Sequence, residues 1–221
     1  MIMFKKRLPA AVLWDMDGTL VDSEHYWLAS EKALASAHSA EWTEQDGHDL
    51  IGNSLYESGR ILKAKFNSEM STEAIVQHLT DSVVAKLAVE IPWRPGAREL
   101  LKELKRKGVK TALVTMSLHR MAQQVVDKIP FKAFDVLVGG DDVSRGKPFP
   151  DPYLKAAELL GVEPKDCVAF EDSNTGLRSA EAAGTKAIGI PNFIEIPQIE
   201  GRILWPTLEG VRLKDLQRLF D

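Results

Sequence analysis

Two aspartates separated by one residue follow a short apolar run near the start of the sequence. Asp15 and Asp17 come directly after residues 10–14 (AAVLW), and Gly18 follows them. Alternate residues of an extended chain point to the same side, so both carboxylates are expected at the end of one buried strand. Asp15 can attack phosphorus to form an aspartyl-phosphate, while Asp17 protonates the leaving oxygen and later activates water. The pattern therefore indicates phosphoryl transfer.

A carboxylate that approaches a phosphate is repelled by it, so this chemistry needs compensating positive charge. The repulsion is about 4 kcal/mol per pair of unit charges about 4 Å apart, at an effective dielectric constant of about 20. The sequence therefore predicts Mg²⁺ as cofactor, together with a fixed lysine or arginine at a strand end. A simple turn is the alternative interpretation of the Asp-x-Asp-Gly pattern. An EF-hand loop is excluded because Tyr26 occupies its twelfth position.

Helical and strand patterns alternate after Gly96, which predicts a doubly wound, Rossmann-like parallel sheet. Predicted strands follow the first one at residues 109–114, 134–138, 167–170 and 186–190, and predicted helices at 118–128, 152–160 and 175–183. Residues 192–221 are expected to add a short strand and a helix. The fold class is therefore α/β.

Only helical patterns occur between the first strand and Glu90. Ser23 is predicted to cap the first of four helices, and a segment with two prolines and a glycine (91–96) leads back to the sheet. We therefore predict an all-helical cap subdomain at residues 22–91, inserted into an α/β core of residues 1–21 and 92–221.

Polar residues follow the later strands as well. The carboxyl ends of parallel strands share one edge, where such folds bind ligands. Thr115 offers a hydroxyl, and its neighbour Met116 a backbone amide, to a phosphate; Ser117 is expected to cap the next helix. Lys147, before Pro148, supplies the required positive charge. The predicted phosphate-binding residues are Asp15, Gly18, Thr115, Met116 and Lys147.

An acid pair, Glu171 and Asp172, follows the strand at 167–170. Adjacent residues of a strand point to opposite faces, so one acid can face the metal while the other braces the lysine or a water. Ser173 and Asn174 are expected to support this site, although Asp172, Ser173 and Asn174 are also good helix caps. A nucleophile pair, a hydroxyl, a lysine and an acid pair thus fall at successive strand ends on one edge.

Composition and charge limit the other possibilities. The chain has 221 residues, with 28 basic and 32 acidic side chains and a net charge of −4. We expect neither nucleic acid nor membrane partners, but a small phosphorylated substrate. A single cysteine, Cys167, is expected in the core. One cysteine suits a reducing compartment, so we predict a cytoplasmic enzyme. We also expect a monomer.

Taken together, the motifs resemble those of the haloacid dehalogenase superfamily of phosphotransferases. The residues that carry the resemblance are DMDGTLVDS at 15–23, Thr115, Lys147 with Pro148, and residues 171–174 (EDSN). The resemblance covers nearly the whole chain. It implies Asp15 as nucleophile, Asp17 as general acid and base, and Asp15, Asp172 and the Asp17 carbonyl as metal ligands. It also implies that Thr115 and Lys147 bind phosphate, and that Glu171 supports the metal ligands from behind or binds the metal through a water.

The helical insertion resembles the cap of the branch that contains β-phosphoglucomutase, phosphoglycolate phosphatase and sugar-phosphate phosphatases. Trp27 stands where β-phosphoglucomutase carries a cap histidine, and Leu55 where its second-phosphate arginine is expected. These departures favour a phosphatase over a mutase. The cap residues expected to influence substrate choice are Trp27, Gly52, Asn53 and Ser54.

Other functions remain open at this point. A phosphomutase is the nearest alternative, and a halide-releasing hydrolase would use Asp15 without a metal. A signalling receiver is disfavoured because its acid pair precedes the phosphorylated aspartate. A binding protein on the same fold is disfavoured because every expected chemical group is present.

Overall fold

A sheet of six parallel strands lies at the centre of the computed structural model, which describes residues 7–221. The strands are β1 (Ala11–Trp14), β2 (Lys110–Val114), β3 (Val136–Val138), β4 (Cys167–Glu171), β5 (Lys186–Gly189) and β6 (Ile203–Leu204). Their order is β3-β2-β1-β4-β5-β6, and all neighbouring pairs are parallel. The strand order therefore reverses between β1 and β4, the position at which doubly wound sheets bind ligands.

Helices cover the sheet and form one long insertion. Of the five helices between β1 and β2, the first four form the helical insertion: α1 (Glu24–Ala37), α2 (Glu44–His48), α3 (Leu55–Lys65) and α4 (Thr72–Val89). The others are α5 (Ala97–Arg106), α6 (His119–Asp127), α7 (Asp151–Leu160), α8 (Asn174–Ala182) and α9 (Leu213–Gln217). The predicted α/β fold with a helical insertion is confirmed, and the exact subdomain limits at residues 22 and 91 stay predictions.

The first strand is buried on both faces of the sheet. Val12 and Trp14 pack into one hydrophobic cluster, while Ala11 and Leu13 pack into a second one on the other face. All four side chains are fully buried. Because both faces are covered, the residue that follows β1 is held in a fixed position relative to the neighbouring strands.

The helical insertion shares the first of these clusters. Apolar residues of α1, α3 and α4 are buried in it, among them Leu34, Leu62, Ile75 and Leu79. On the surface, Arg120 of α6 pairs with Asp81 of α4 at 2.7 Å. The insertion is thus packed against the carboxyl side of the sheet and encloses the strand ends.

Some sequence predictions need correction. Strand β3 begins at Val136 and not at Phe134, because the Asp135 carboxylate takes the backbone N–H of Thr111 at 2.9 Å. Ser23 does occupy the N-terminal position of α1, but its side chain caps nothing there. Likewise, Ser117 does not cap α6, whose first amide, that of His119, donates instead to Asp141 at 2.7 Å.

The chain after residue 192 adds β6 and α9, as predicted, and Cys167 is buried in β4. Among residues 7–221, no helix combines the length and the apolar character that crossing a membrane requires.

Candidate active site

Three acidic side chains meet where β1 and β4 end. Asp15, Glu171 and Asp172 each offer an oxygen, and these oxygens lie within 4.8 Å of one another. All three residues are buried. Asp15 is held there because its backbone N–H continues the β1–β4 pairing by donating to the Phe170 carbonyl at 3.0 Å. The sheet therefore concentrates negative charge at the edge that the sequence identified.

Lys147 provides the balancing positive charge. Its Nζ lies 2.6 Å from Asp15 Oδ1 and 2.6 Å from Glu171 Oε1, and it also donates to the Val114 carbonyl at 3.0 Å. Burial alone would lower the pKa of Lys147, but the two carboxylates outweigh it and hold this pKa above its usual value. Lys147 is therefore a fixed cation that joins the ends of three strands.

Glu171 braces this lysine from behind. The Tyr153 hydroxyl, on α7, donates to the same Oε1 atom that Lys147 contacts. A Cβ on Gly176 would come within 1.9 Å of Glu171 Oε2, so only glycine leaves room for this carboxylate. Sequence reasoning missed Tyr153, although an aromatic hydroxyl on the apolar face of the helix after Lys147 is a detectable signal.

Asp172 faces the turn that follows Asp15. A Cβ on Gly18, whose φ is +80°, would lie 2.0 Å from Asp172 Oδ2. No described residue donates a hydrogen bond to this carboxylate. Burial, and then the neighbouring charges of Asp15 and Glu171, raise the pKa of Asp172 well above its ordinary value. Burial also raises the pKa of Asp15, against the opposing effect of Lys147.

These groups fit a divalent cation. Three buried carboxylates with one lysine leave an excess of negative charge, and carboxylate oxygens are the ligands that Mg²⁺ prefers. No described residue donates a hydrogen bond to the backbone carbonyl of Asp17, so that oxygen is also free to bind a cation. The chemistry of the donors thus agrees with the predicted metal.

The Asp17 side chain has four hydrogen-bond donors. Ser23 Oγ and Trp27 Nε1 donate to Oδ1 at 2.5 and 3.1 Å, and Ser117 Oγ and Thr115 Oγ1 donate to Oδ2 at 2.7 and 3.3 Å. Sequence reasoning assigned helix-capping roles to both serines. The structure instead directs both of them to the carboxylate.

Thr115 and Met116 lie beside this carboxylate at the end of β2. Thr115 is buried, and its Oγ1 also accepts the backbone N–H of Ser117 at 3.0 Å. The Met116 sulfur accepts the backbone N–H of Lys147 at 3.3 Å, and a Cβ on Gly146 would clash with the Met116 methyl group. The Met116 side chain therefore positions the loop that carries Gly146 and Lys147, a role that the sequence did not suggest.

A cavity separates this edge of the sheet from the helical insertion. Its walls include Asp15, Asp17, Thr115, Lys147 and Asp172 from the sheet side, and Glu24, Trp27, Leu28, Glu31, Asn53, Leu55 and Leu79 from the insertion. Burial raises the pKa of Glu24 to about 8, with a further contribution from Asp17. Burial also raises the pKa of Glu31 to about 7, and the nearby Trp42 indole opposes this rise.

Sequence reasoning missed both glutamates. Glu24 and Glu31 both lie in α1, seven residues apart, on the same side of the helix as the buried Trp27 and Leu34. A charged residue in an otherwise apolar helical stripe was the available signal.

The remaining predicted residues are only partly near this cavity. Gly52 and Asn53 line it, and Gly52 has a φ of +86° beside Thr175. Ser54 instead caps α3 by accepting the Glu57 N–H at 3.2 Å. Ser173 lines the cavity and caps α8 by accepting the Gly176 N–H at 3.0 Å. Asn174 points elsewhere, because its Oδ1 accepts a hydrogen bond from Arg202 at 2.8 Å.

Sheet order, acidic cluster and paired lysine together define a hydrolase of the haloacid dehalogenase type, and the comparisons agree. Residues 9–184 match the sequence profile of the haloacid dehalogenase-like hydrolases. The chain therefore belongs to this family, and the predicted resemblance is confirmed.

Three known proteins illustrate the relationship. A phosphorylated carbohydrates phosphatase from Thermotoga maritima is 33% identical over 179 residues, which are 80% of this chain and 83% of that protein. A phosphoglycolate phosphatase from Aquifex aeolicus is 33% identical over 219 residues, 95% of this chain and 96% of that one. A crystal structure of a CbbY variant from Rhodobacter sphaeroides with xylulose-(1,5)bisphosphate has a TM-score of 0.83 and 28% identity, covering 95% and 99% of the two chains.

Proposed function

We propose that this protein is a Mg²⁺-dependent phosphatase that hydrolyses a small phosphorylated carbohydrate or a similar metabolite through an aspartyl-phosphate. One observation carries the proposal: Asp15 Oδ1 is held 2.6 Å from Lys147 Nζ, at an edge where Asp17 and Asp172 also face the cavity. The names of the phosphatase relatives support the same reaction class.

In the first step, Asp15 attacks phosphorus with its second carboxylate oxygen, Oδ2, while Oδ1 stays paired with Lys147. Thr115 and Lys147 hold the transferring phosphate, and Asp17 delivers a proton to the leaving alcohol. In the second step, Asp17 takes a proton from the attacking water, and the bond between Asp15 and phosphorus breaks to release phosphate. The helical insertion excludes bulk water from both steps.

Asp15, Asp172 and the Asp17 carbonyl are the residues that would hold Mg²⁺, with Glu171 in support. When bound, the cation neutralises charge on the phosphate and on the two aspartates. Ser173, through its cap of α8, keeps the segment that carries Asp172 in place. Trp27 acts through its hydrogen bond to Asp17 in addition to lining the cavity.

A phosphomutase fits the cavity less well. A mutase must bind a bisphosphate in both orientations, yet Lys147 is the only lysine, arginine or histidine among the described residues that line this cavity. Trp27 and Leu55 line the cavity at the positions where β-phosphoglucomutase is expected to carry a cap histidine and a second-phosphate arginine. Monomeric state and cytoplasmic location stay predictions of this proposal.

The test is phosphate release from a panel of phosphorylated sugars, polyols, glycolate and nucleotides, with Mg²⁺ and with excess chelator. We expect metal-dependent release from one or a few compounds, and none from Asp15→Asn, which is nearly isosteric and should fold. Equal release of phosphate in chelator would contradict the metal requirement. Isomerised sugar phosphate without release of phosphate would favour the mutase.

A further inference from the structure

Glu31 is a buried acidic residue on the wall of the cavity, and the proposed reaction does not use its side chain. Its side chain belongs to α1 in the helical insertion, and the residue is 6% exposed. Its Oε2 atom is buried without a hydrogen-bond partner among the described residues. Glu31 nevertheless lines the same cavity as Asp15 and Lys147.

The position of Glu31 along α1 sets its distance from the reacting groups. Glu24, one of whose charged neighbours is Asp17, lies at the start of this helix. Glu31 is seven residues further on, which is a rise of about 10 Å at about 1.5 Å per residue. Contact with Glu31 therefore requires a substrate that extends well beyond its phosphate.

The surroundings of Glu31 offer little compensation for its burial. A Cβ on Gly47 would lie 3.1 Å from Glu31 Oε2, so Gly47 of α2, which also lines the cavity, lies beside this atom. Among the described residues, the Trp42 indole N–H is the donor that acts on this carboxylate and lowers its pKa against the effect of burial, but Trp42 Nε1 and Glu31 Oε2 do not reach hydrogen-bond geometry. A buried carboxylate without hydrogen bonds destabilises the fold, so a ligand that donates hydrogen bonds to it would be favoured.

The charge of the cavity restricts that ligand further. Among residues 7–221, five acidic side chains line it: Asp15, Asp17, Glu24, Glu31 and Asp172. The one lysine is already paired with Asp15 and Glu171. A second phosphate or a carboxylate at the far end of the substrate would meet Glu31 without a balancing cation, whereas hydroxyl groups would donate to it.

We propose that Glu31 is a specificity-determining residue that accepts hydrogen bonds from the hydroxyl groups of an extended polyhydroxylated monophosphate and repels a second anionic group. The inference rests on the proposed phosphatase function and names its substrate class. It predicts that Glu31 matters for long substrates and not for short ones, a dependence that a purely structural role would not produce.

The experiment compares kcat/KM for sorbitol 6-phosphate, glycerol 3-phosphate and fructose 1,6-bisphosphate in wild type, Glu31→Gln and Glu31→Leu. Wild type should prefer the six-carbon monophosphate over the bisphosphate. At a pH of about 8, where Glu31 is ionised because its pKa is raised only to about 7, loss of a hydrogen bond to this charged acceptor should reduce kcat/KM for sorbitol 6-phosphate about tenfold, mainly through KM. The kcat/KM for glycerol 3-phosphate should change by less than about twofold. The ratio of kcat/KM for sorbitol 6-phosphate to that for fructose 1,6-bisphosphate should fall.

Two control variants separate the possible causes. Glu41→Gln removes an exposed acid of the same insertion and should change nothing. Trp42→Phe removes the neighbouring indole N–H and should leave the dependence on substrate length intact. Equal losses for short and long substrates in Glu31→Gln, or no loss for either, would overturn the inference while the phosphatase function stands. No phosphate release from any substrate by wild type would overturn both.

Discussion

Lys147 and Asp15 form an ion pair that is almost completely enclosed. Their charged atoms are 2.6 Å apart, and the side chains are 5% and 9% exposed. The same lysine nitrogen contacts Glu171, so a single cation balances two carboxylates, with a third, Asp172, close by. The pair is therefore a structural element of the sheet edge as well as part of the proposed reaction.

Replacement of Lys147 by methionine should destabilise the protein and abolish turnover. Removal of one partner from a buried ion pair leaves uncompensated charge, which costs about 3–5 kcal/mol in the free energy of unfolding. Mg²⁺ should restore part of this loss, because it supplies charge to the same cluster. Urea unfolding with and without Mg²⁺ measures both effects. Lys214→Met, at an exposed position, is the control, and an equal loss there would refute this account.

Gly18→Ala should weaken metal binding much more than it weakens the fold. The added Cβ would lie 2.0 Å from Asp172 Oδ2, so the carboxylate must move. Gly108→Ala is a matched control, because its φ of +71° imposes similar backbone strain with no atom within 4 Å of the new Cβ. Both variants should lose about 1 kcal/mol of stability or somewhat more. Only Gly18→Ala should raise the Mg²⁺ concentration that half-activates the enzyme; an equal rise in both would contradict the prediction.

Ser117→Ala should lower kcat and leave KM nearly unchanged. The Ser117 hydroxyl donates to Asp17 Oδ2 at 2.7 Å, and a hydrogen bond to a charged group contributes about 1.5–3 kcal/mol. If this energy orients the proton donor, kcat falls by roughly one to two orders of magnitude. Steady-state kinetics measure the effect, with the exposed Ser36→Ala as control. A change confined to KM would assign Ser117 to substrate binding.

The stability of wild type relative to Glu31→Gln should fall as the pH rises. Burial raises the pKa of Glu31 from 4.5 to about 7, so the folded state favours the protonated form. The stabilisation from that form is complete below the unfolded pKa and is lost as the pH rises through about 7. At pH near 8, Glu31→Gln should be more stable than wild type by up to about 3 kcal/mol, and near pH 4 this advantage should vanish. Urea unfolding at both pH values provides the test, and a constant difference would contradict it.

Much of the fold followed from local patterns. Five apolar strand segments, the later ones alternating with helical patterns, predicted a doubly wound sheet, and the parallel arrangement then brought Asp15, Thr115, Lys147 and Glu171 to one edge. This worked because the carboxyl ends of parallel strands share an edge, whatever the intervening sequence.

Contacts across the cavity did not follow, because they depend on how separate elements approach one another. Ser23 and Ser117 occupy ordinary capping positions in the sequence, and only tertiary packing turns their hydroxyls to Asp17. Tyr153 reaches Glu171 because α7 packs against the sheet, where it contacts β1, β2 and β3. The sequence could not establish these contacts: Ser117 and Tyr153 lie 100 and 18 residues from their partners, and the Ser23 contact, across only six residues, depends on the turn that follows Asp17.

The two carboxylate oxygens of Asp17 accept hydrogen bonds from two different parts of the chain. Both donors to Oδ1, Ser23 and Trp27, belong to the start of the helical insertion, and both donors to Oδ2, Thr115 and Ser117, belong to the end of β2. A displacement of α1 from the sheet would therefore break the hydrogen bonds to Oδ1 and leave those to Oδ2 in place. A single carboxylate thus links two layers of the molecule, so that its orientation and the position of α1 change together.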